Sequence, residues 1–403
     1  MRFLLDNWHR FALILLLLVV GLELGILGFQ KGGFLFPASS SLQKYAASVL
    51  AACENAKYRP SCYDEEIPPL MSVLSMEEAF EVTRLVQDQD DSYQYCHVLG
   101  HTLSAQEVAK DPKDWKDVVT RCPSGLCSNG CIHGGFQERF REGSFTTEEI
   151  AEITVELETL CEPRDGWNPT GLEQGSCYHA LGHLAMYLTE AELPQALAIC
   201  DKVGLKGNGR DWRQLCYDGA FMQIFQPLEP EDFALVEGKV PSKEEIPSYC
   251  GAYEGRQEAS CLSESWPLFN AEIKEPEGLA AFCQMTAPEL RPRCFNAMFY
   301  VITAQLGFDQ KRITDYCGTL PEDIRGRCFA NAASRMIETD WRNIAQSVQL
   351  CQASVSFKSG EACFGELLQY STYNFHAGSE EFFSLCNALP GQWHEQCLAR
   401  SLN

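Results

Sequence analysis

From Cys250 to the C-terminus the chain alternates two kinds of apolar pattern. Short amphipathic runs, such as DWRNIAQSVQLC ending at Cys351, carry apolar residues on one helical face. Longer and more uniformly apolar runs, CFNAMFYVITAQLG, CFANAASRMI and CFGELLQYSTYNF, each open on a cysteine. Polar turns holding Pro or Gly, TAPELRPR and GTLPEDIRGR among them, separate the two. The pattern predicts helical hairpins, each a short first helix and a longer second one, and hence an all-α fold.

Cysteine spacing sets the period. The pairs Cys250/Cys261, Cys283/Cys294, Cys317/Cys328, Cys351/Cys363 and Cys386/Cys397 have first members 33, 34, 34 and 35 residues apart. A repeat of about 34 residues is typical of stacked helical hairpins, so the expected architecture is an α-solenoid or superhelix of disulfide-stapled units. Looser units precede it: Cys122/Cys131, Cys161/Cys177 and Cys200/Cys216 have first members 39 apart, and Cys53/Cys62 resembles an N-terminal half-unit. Aligning HVLGH (97–101) on HALGH (179–183) puts Tyr95, not Cys96, at the unit's cysteine position. Cys96 and Cys127 are then both off-register, and pairing them completes ten bridges with no free thiol. The period resembles that of tetratricopeptide and Sel1-type arrays in length and helix pairing. The tetratricopeptide signature itself is absent, so no family membership follows.

Residues 11–29 are apolar apart from Glu23, long enough to span a bilayer as a helix. Arg2 and Arg10 precede the run and only Lys31 follows closely, which predicts a signal anchor with residues 1–10 in the cytoplasm. A cleaved signal peptide, ending near FPASSS at Phe36–Ser41, is the alternative. Either way the rest of the chain is expected to be exported, periplasmic or extracellular, and its twenty cysteines fit an oxidising compartment. The expected order is a tether at 30–44, His-bearing repeats at 45–225, a Pro/Glu-rich insertion at 226–247 and regular Cys-paired repeats at 248–403. A net charge of −23 disfavours nucleic acid and anionic lipid as partners, so the expected contacts are the membrane through the first helix, and a protein or glycan on the solenoid surface.

Candidate chemistry lies in the histidines. Five of eight fall between residues 97 and 183. Two residues after the second cysteine of successive units stand His133, His179 and Asp218, with His97 at the same place in the unit that lacks the cysteine. Later units put Ser263, Asn296, Ala330, Gly365 and Ala399 there. His101 and His183 follow one turn on, and residues i and i+4 share a helical face. His97, His101, His133, His179, His183 and Asp218 are therefore the expected metal ligands if the second helices line one surface. Imidazole-rich ligation suits Zn, Cu or Fe, and haem b held by two imidazoles is a further option. Gly100 and Gly182, just before the second His of each pair, would permit close helix approach.

The same residues admit other chemistries. Cys122, Cys127 and Cys131 with His133 could form a zinc knuckle, at a spacing that matches no common module. Covalent haem lacks its Cys-x-x-Cys-His, and the zinc-protease motif lacks its glutamate because Val98 and Ala180 follow the first histidines. Glu107 and Glu138 are candidate supporting carboxylates. The alternative function is a disulfide-hardened protein- or glycan-binding scaffold whose imidazoles are a structural polar seam.

Overall fold

The computed structural model describes residues 40–402, apart from 94, 124–125, 128–129, 141–144, 208 and 229. The expected anchor at 11–29 lies outside the described residues, and among these no helix is long and apolar enough to cross a membrane. No strand occurs among the described residues; helices and short 3-10 turns make up the architecture.

The helices run in chain order as α1 (Ser40–Cys53), α2 (Arg59–Glu66), α3 (Met76–Gln87), α4 (His97–Lys110), α5 (Trp115–Thr120), α6 (Gly130–Phe140) and α7 (Thr147–Leu157). Then come α8 (Gly171–Leu188), α9 (Leu193–Gly204), α10 (Arg213–Phe225), α11 (Pro230–Leu235), α12 (Ile246–Cys250), α13 (Arg256–Glu264) and α14 (Pro276–Gln284). The chain finishes with α15 (Arg291–Gln305), α16 (Gln310–Thr319), α17 (Glu322–Thr339), α18 (Ile344–Ser354), α19 (Gly360–Asn374), α20 (Glu380–Ala388) and α21 (Gln392–Ala399). Their starts are written locally. Ser75, Thr146 and Thr170 each cap the next helix and donate their backbone N–H in return to the carboxylate of Glu78, Glu149 and Glu173 three residues on. Leu42, Ala46, Val49 and Cys53 bury one face of α1, so this helix begins at Ser40, inside the span expected to be tether.

All ten expected disulfides are present and no cysteine is free. Eight join residues adjacent in the order of cysteines; Cys96–Cys127 and Cys122–Cys131 interleave. From α9–α10 onward each staples a first helix to its second across their turn, and a closed loop of about 15 residues is worth roughly 3 kcal/mol in the chain-entropy account. Ten intrachain bridges fit an oxidising, extracytoplasmic setting.

The second helices pack on one another in chain order: α4 on α6, α6 on α8, α8 on α10, then α13, α15, α17 and α19. α19 returns to α8, where the Tyr373 ring lies against Gly171 and its hydroxyl against Gly175. Arg342, beyond α17, ion-pairs with Asp88 beyond α3. Two apolar cores result, one from Leu42 to Leu262 and one from Ile273 to Cys397, with Phe269 and Met285 packed against both. The two clusters meet between Leu262 and Ile273. The insertion expected at 226–247 contains α11 and the buried carboxylate of Asp232, and belongs to the first half.

Candidate metal centre

Three helices bring the histidines together. His97 and His101 stand one turn apart on α4, His133 opens the facing side of α6, and His179 and His183 stand one turn apart on α8. His133 occupies the middle: its ring centroid lies 4.9 Å from His97, 5.3 Å from His101, 5.6 Å from His179 and 5.4 Å from His183. His97, His101, His133 and His183 are buried, and His179 is partly so.

Close helix packing places them. A β-carbon on Gly130 would stand 2.2 Å from the His97 carbonyl oxygen, and one on Gly134 2.2 Å from that of His101. On the next pair a β-carbon on Gly219 would stand 2.0 Å from the His179 carbonyl oxygen, and one on Gly182 2.0 Å from that of Cys216. No side chain fits at such distances, so backbone runs against backbone and the imidazoles beside it converge. Gly182 meets the sequence expectation in full; Gly100 is tight as well, 3.0 Å from the Cys131 nitrogen.

Nitrogen geometry defines what the cluster can do. One ligand nitrogen from each of His97, His101 and His133 lies within 4.8 Å of the others, a group that could hold a metal ion. The Nε2 atoms of His97 and His101 are 3.1 Å apart, and those of His179 and His183 3.2 Å. Two imidazoles on one tetrahedral ion at about 2.0–2.1 Å would place their nitrogens about 3.3–3.4 Å apart, close to both values.

Tautomers follow from the surrounding bonds. The Asp232 carboxylate can only accept, so Gln223 donates its Nε2 to Asp232 Oδ1 at 2.7 Å and turns its Oε1 to His183. His183 Nδ1 therefore donates to Gln223 Oε1 at 2.6 Å, leaving its Nε2 as a lone pair. Asp232 is held in turn by the Leu228 backbone N–H at 3.1 Å and by the Tyr187 hydroxyl. His179 turns its Nε2 to that of His183 at 3.2 Å, within hydrogen-bond distance. With His183 Nε2 an acceptor, His179 Nε2 is placed either to donate to it or to share a cation with it. His97 likewise donates Nδ1 to the Cys127 carbonyl at 3.3 Å, and Cys127 itself is left-handed with φ of 51°. Such a backbone costs about 1–2 kcal/mol in a non-glycine residue, and here it turns a carbonyl towards His97.

Electrostatics agree. Burial, followed by the neighbouring imidazoles, holds His97 and His133 well below the usual histidine range. Burial lowers His179, and burial with His179 alongside pulls His183 down to about 3. The rings are neutral at physiological pH, the form that binds metal. Because their folded values are depressed, the stability they contribute is complete above the unfolded value near 6.5 and is lost as pH falls below it. The metal-free chain should therefore lose up to about 1.4 kcal/mol per pH unit for each of His97, His133 and His183 below about pH 6.5. Thermal melts between pH 8 and 4.5 check this; a midpoint unchanged from pH 7 to 5 would refute it.

The remaining expected residues divide. Asp218 accepts from Ser260 Oγ at 2.6 Å and Gln214 Nε2 at 3.3 Å, and forms an ion pair with Arg293. It influences His179 electrostatically but is outside the three-histidine group. Glu107 is bound by Lys110 at 2.7 Å and Arg121 at 2.9 Å, a helix-surface network. Glu138 lines a cleft of about 480 Å³ that also has His101, Gln137 and Tyr187 on its walls. The zinc-knuckle reading falls, because Cys122, Cys127 and Cys131 are all in disulfides. Sequence register missed Gln223 and Asp232, which support His183 from outside the repeated position.

Compared with known protein families, curated proteins and solved structures, the chain matches none. The functional reading rests on the residues themselves.

Proposed function

We propose that this is an exported, membrane-anchored α-solenoid whose first half carries a transition-metal centre. One ion is held by His97, His101 and His133, and a second position by His179 and His183, with His133 between the two. The convergence of five imidazoles around His133, with ligand nitrogens of His97, His101 and His133 within 4.8 Å of one another, carries the reading. Gln223 and Asp232 behind His183 act as the hydrogen-bonded support that metal-bound imidazoles commonly have.

All-imidazole ligation with no free thiol favours Zn, Cu or Fe over Ca or Mg. Three protein ligands with an open position are the composition of catalytic rather than structural zinc sites. The cleft beside His101 gives that position an approach for a small polar substrate. An ion there would supply Lewis-acid chemistry.

The full chain, purified in mild detergent and dialysed after zinc loading, is expected to retain at least one zinc per molecule. His179→Ala with His183→Ala should lower the retained amount while leaving the three-histidine site occupied. Metal analysis decides: trace metal in both proteins would leave the scaffold reading standing.

A further inference from the structure

A second polar feature lies away from the histidine ligands, on the inner helices α15 and α17. Arg335 in α17 is 4% exposed, although its chain carries a net charge of −23 and offers carboxylates in abundance. Among the described residues no carboxylate pairs with it. Its Nη1 donates to the Tyr300 hydroxyl, its guanidinium lies 3.5 Å over the Tyr300 ring, and its Nε has no hydrogen-bond acceptor. Leaving a buried guanidinium without an anion is costly, and its planar fork matches oxyanions through two adjacent N–H groups.

We propose that Arg335 is the anchor of an oxyanion-binding site, taking a carboxylate, sulfate or phosphate group on its Nε side, with the guanidinium held by the Tyr300 ring and hydroxyl.

The neighbours leave this role open. Glu338, one turn on in α17, is the nearest carboxylate by electrostatic influence, but burial raises it to about 7, so it is only partly charged at neutral pH. Burial pulls Arg335 down to about 10, which still leaves it charged. Tyr95 is its other electrostatic neighbour; that ring is exposed and stacks on His97 at 6.0 Å and 17°. The anion site thus adjoins the histidine cluster through Tyr95, yet its ligand is recognised by Arg335 and needs no metal.

The test uses the full chain, dialysed free of metal into chloride buffer. Sodium phosphate, sodium sulfate and sodium succinate are titrated at matched ionic strength, with heat release and melting midpoint as readouts. At least one of the three should bind saturably and raise the midpoint. Arg335→Lys should weaken that binding at least tenfold, and Arg335→Met should abolish it. In the absence of anion, Arg335→Met should melt no lower than the parent, because an unpaired buried charge has been removed. Failure of all three anions to bind the parent, or undiminished binding by either variant, overturns the proposal. So does a markedly lower midpoint for the ligand-free Met variant, which would make the guanidinium a structural partner of Glu338.

Discussion

Replacing His133 with alanine is expected to reduce zinc affinity more than about 100-fold, since support groups behind a ligand alone are worth about 10- to 100-fold. The loss should exceed that from His179→Ala, because His133 stands within 6 Å, ring to ring, of the four other histidines of the cluster. Affinity measured by competition with a chromogenic chelator gives the comparison. In the metal-free state the same change removes a neutral buried imidazole and its desolvation cost, so the midpoint at pH 5 should fall less steeply from its pH 8 value than in the parent. Equal zinc affinities for His133→Ala and the parent would sink the proposed centre.

The largest stability effect is expected at Gly134. An alanine methyl there meets the His101 carbonyl oxygen at 2.2 Å, its Cα at 2.4 Å and Ser104 Oγ at 2.5 Å. Two of these are backbone atoms and cannot rotate away, so α4 and α6 must separate. The expected cost is about 3 kcal/mol or more, at the upper end of overpacking effects. Denaturant unfolding measures it. Gly135→Ala, whose nearest neighbour is a Val119 methyl at 3.0 Å, is the matched control and should cost less. Separation of the helices also spreads the His97–His133 pair, so Gly134→Ala should weaken zinc binding without touching a ligand. A chain as stable as the parent would show that the close approach is not needed.

Much of this was legible in the residues. Nine cysteine pairs followed from periodicity because each hairpin repeats its turn, and the tenth joins the two cysteines outside the register, which had only each other. The histidines followed from the same register, since equivalent points on successive second helices face one side. Register says nothing about residues that do not repeat. Asp232 lies in the segment that breaks the period, where an acidic residue among several carries no signal. Asp218 occupies the repeated point, but its charge is claimed by Arg293, 75 residues away, and a pattern at one position does not reveal the partner. Arg335 stands in one helix only, and its burial comes from packing that no periodicity encodes.

The interleaved bridges have a consequence for biogenesis. An oxidant that joins cysteines as they emerge would pair Cys53 with Cys62 correctly, and every pair from Cys161 onward as well. At the one crossing it would join Cys96 to Cys122 and Cys127 to Cys131, and the native pairs require thiol–disulfide exchange. That crossing spans the loop whose Cys127 carbonyl receives His97. Under such an oxidant the loop that holds His97 would reach its native bridges only through isomerisation, while the stapled hairpins that follow it would close in the order in which they are made.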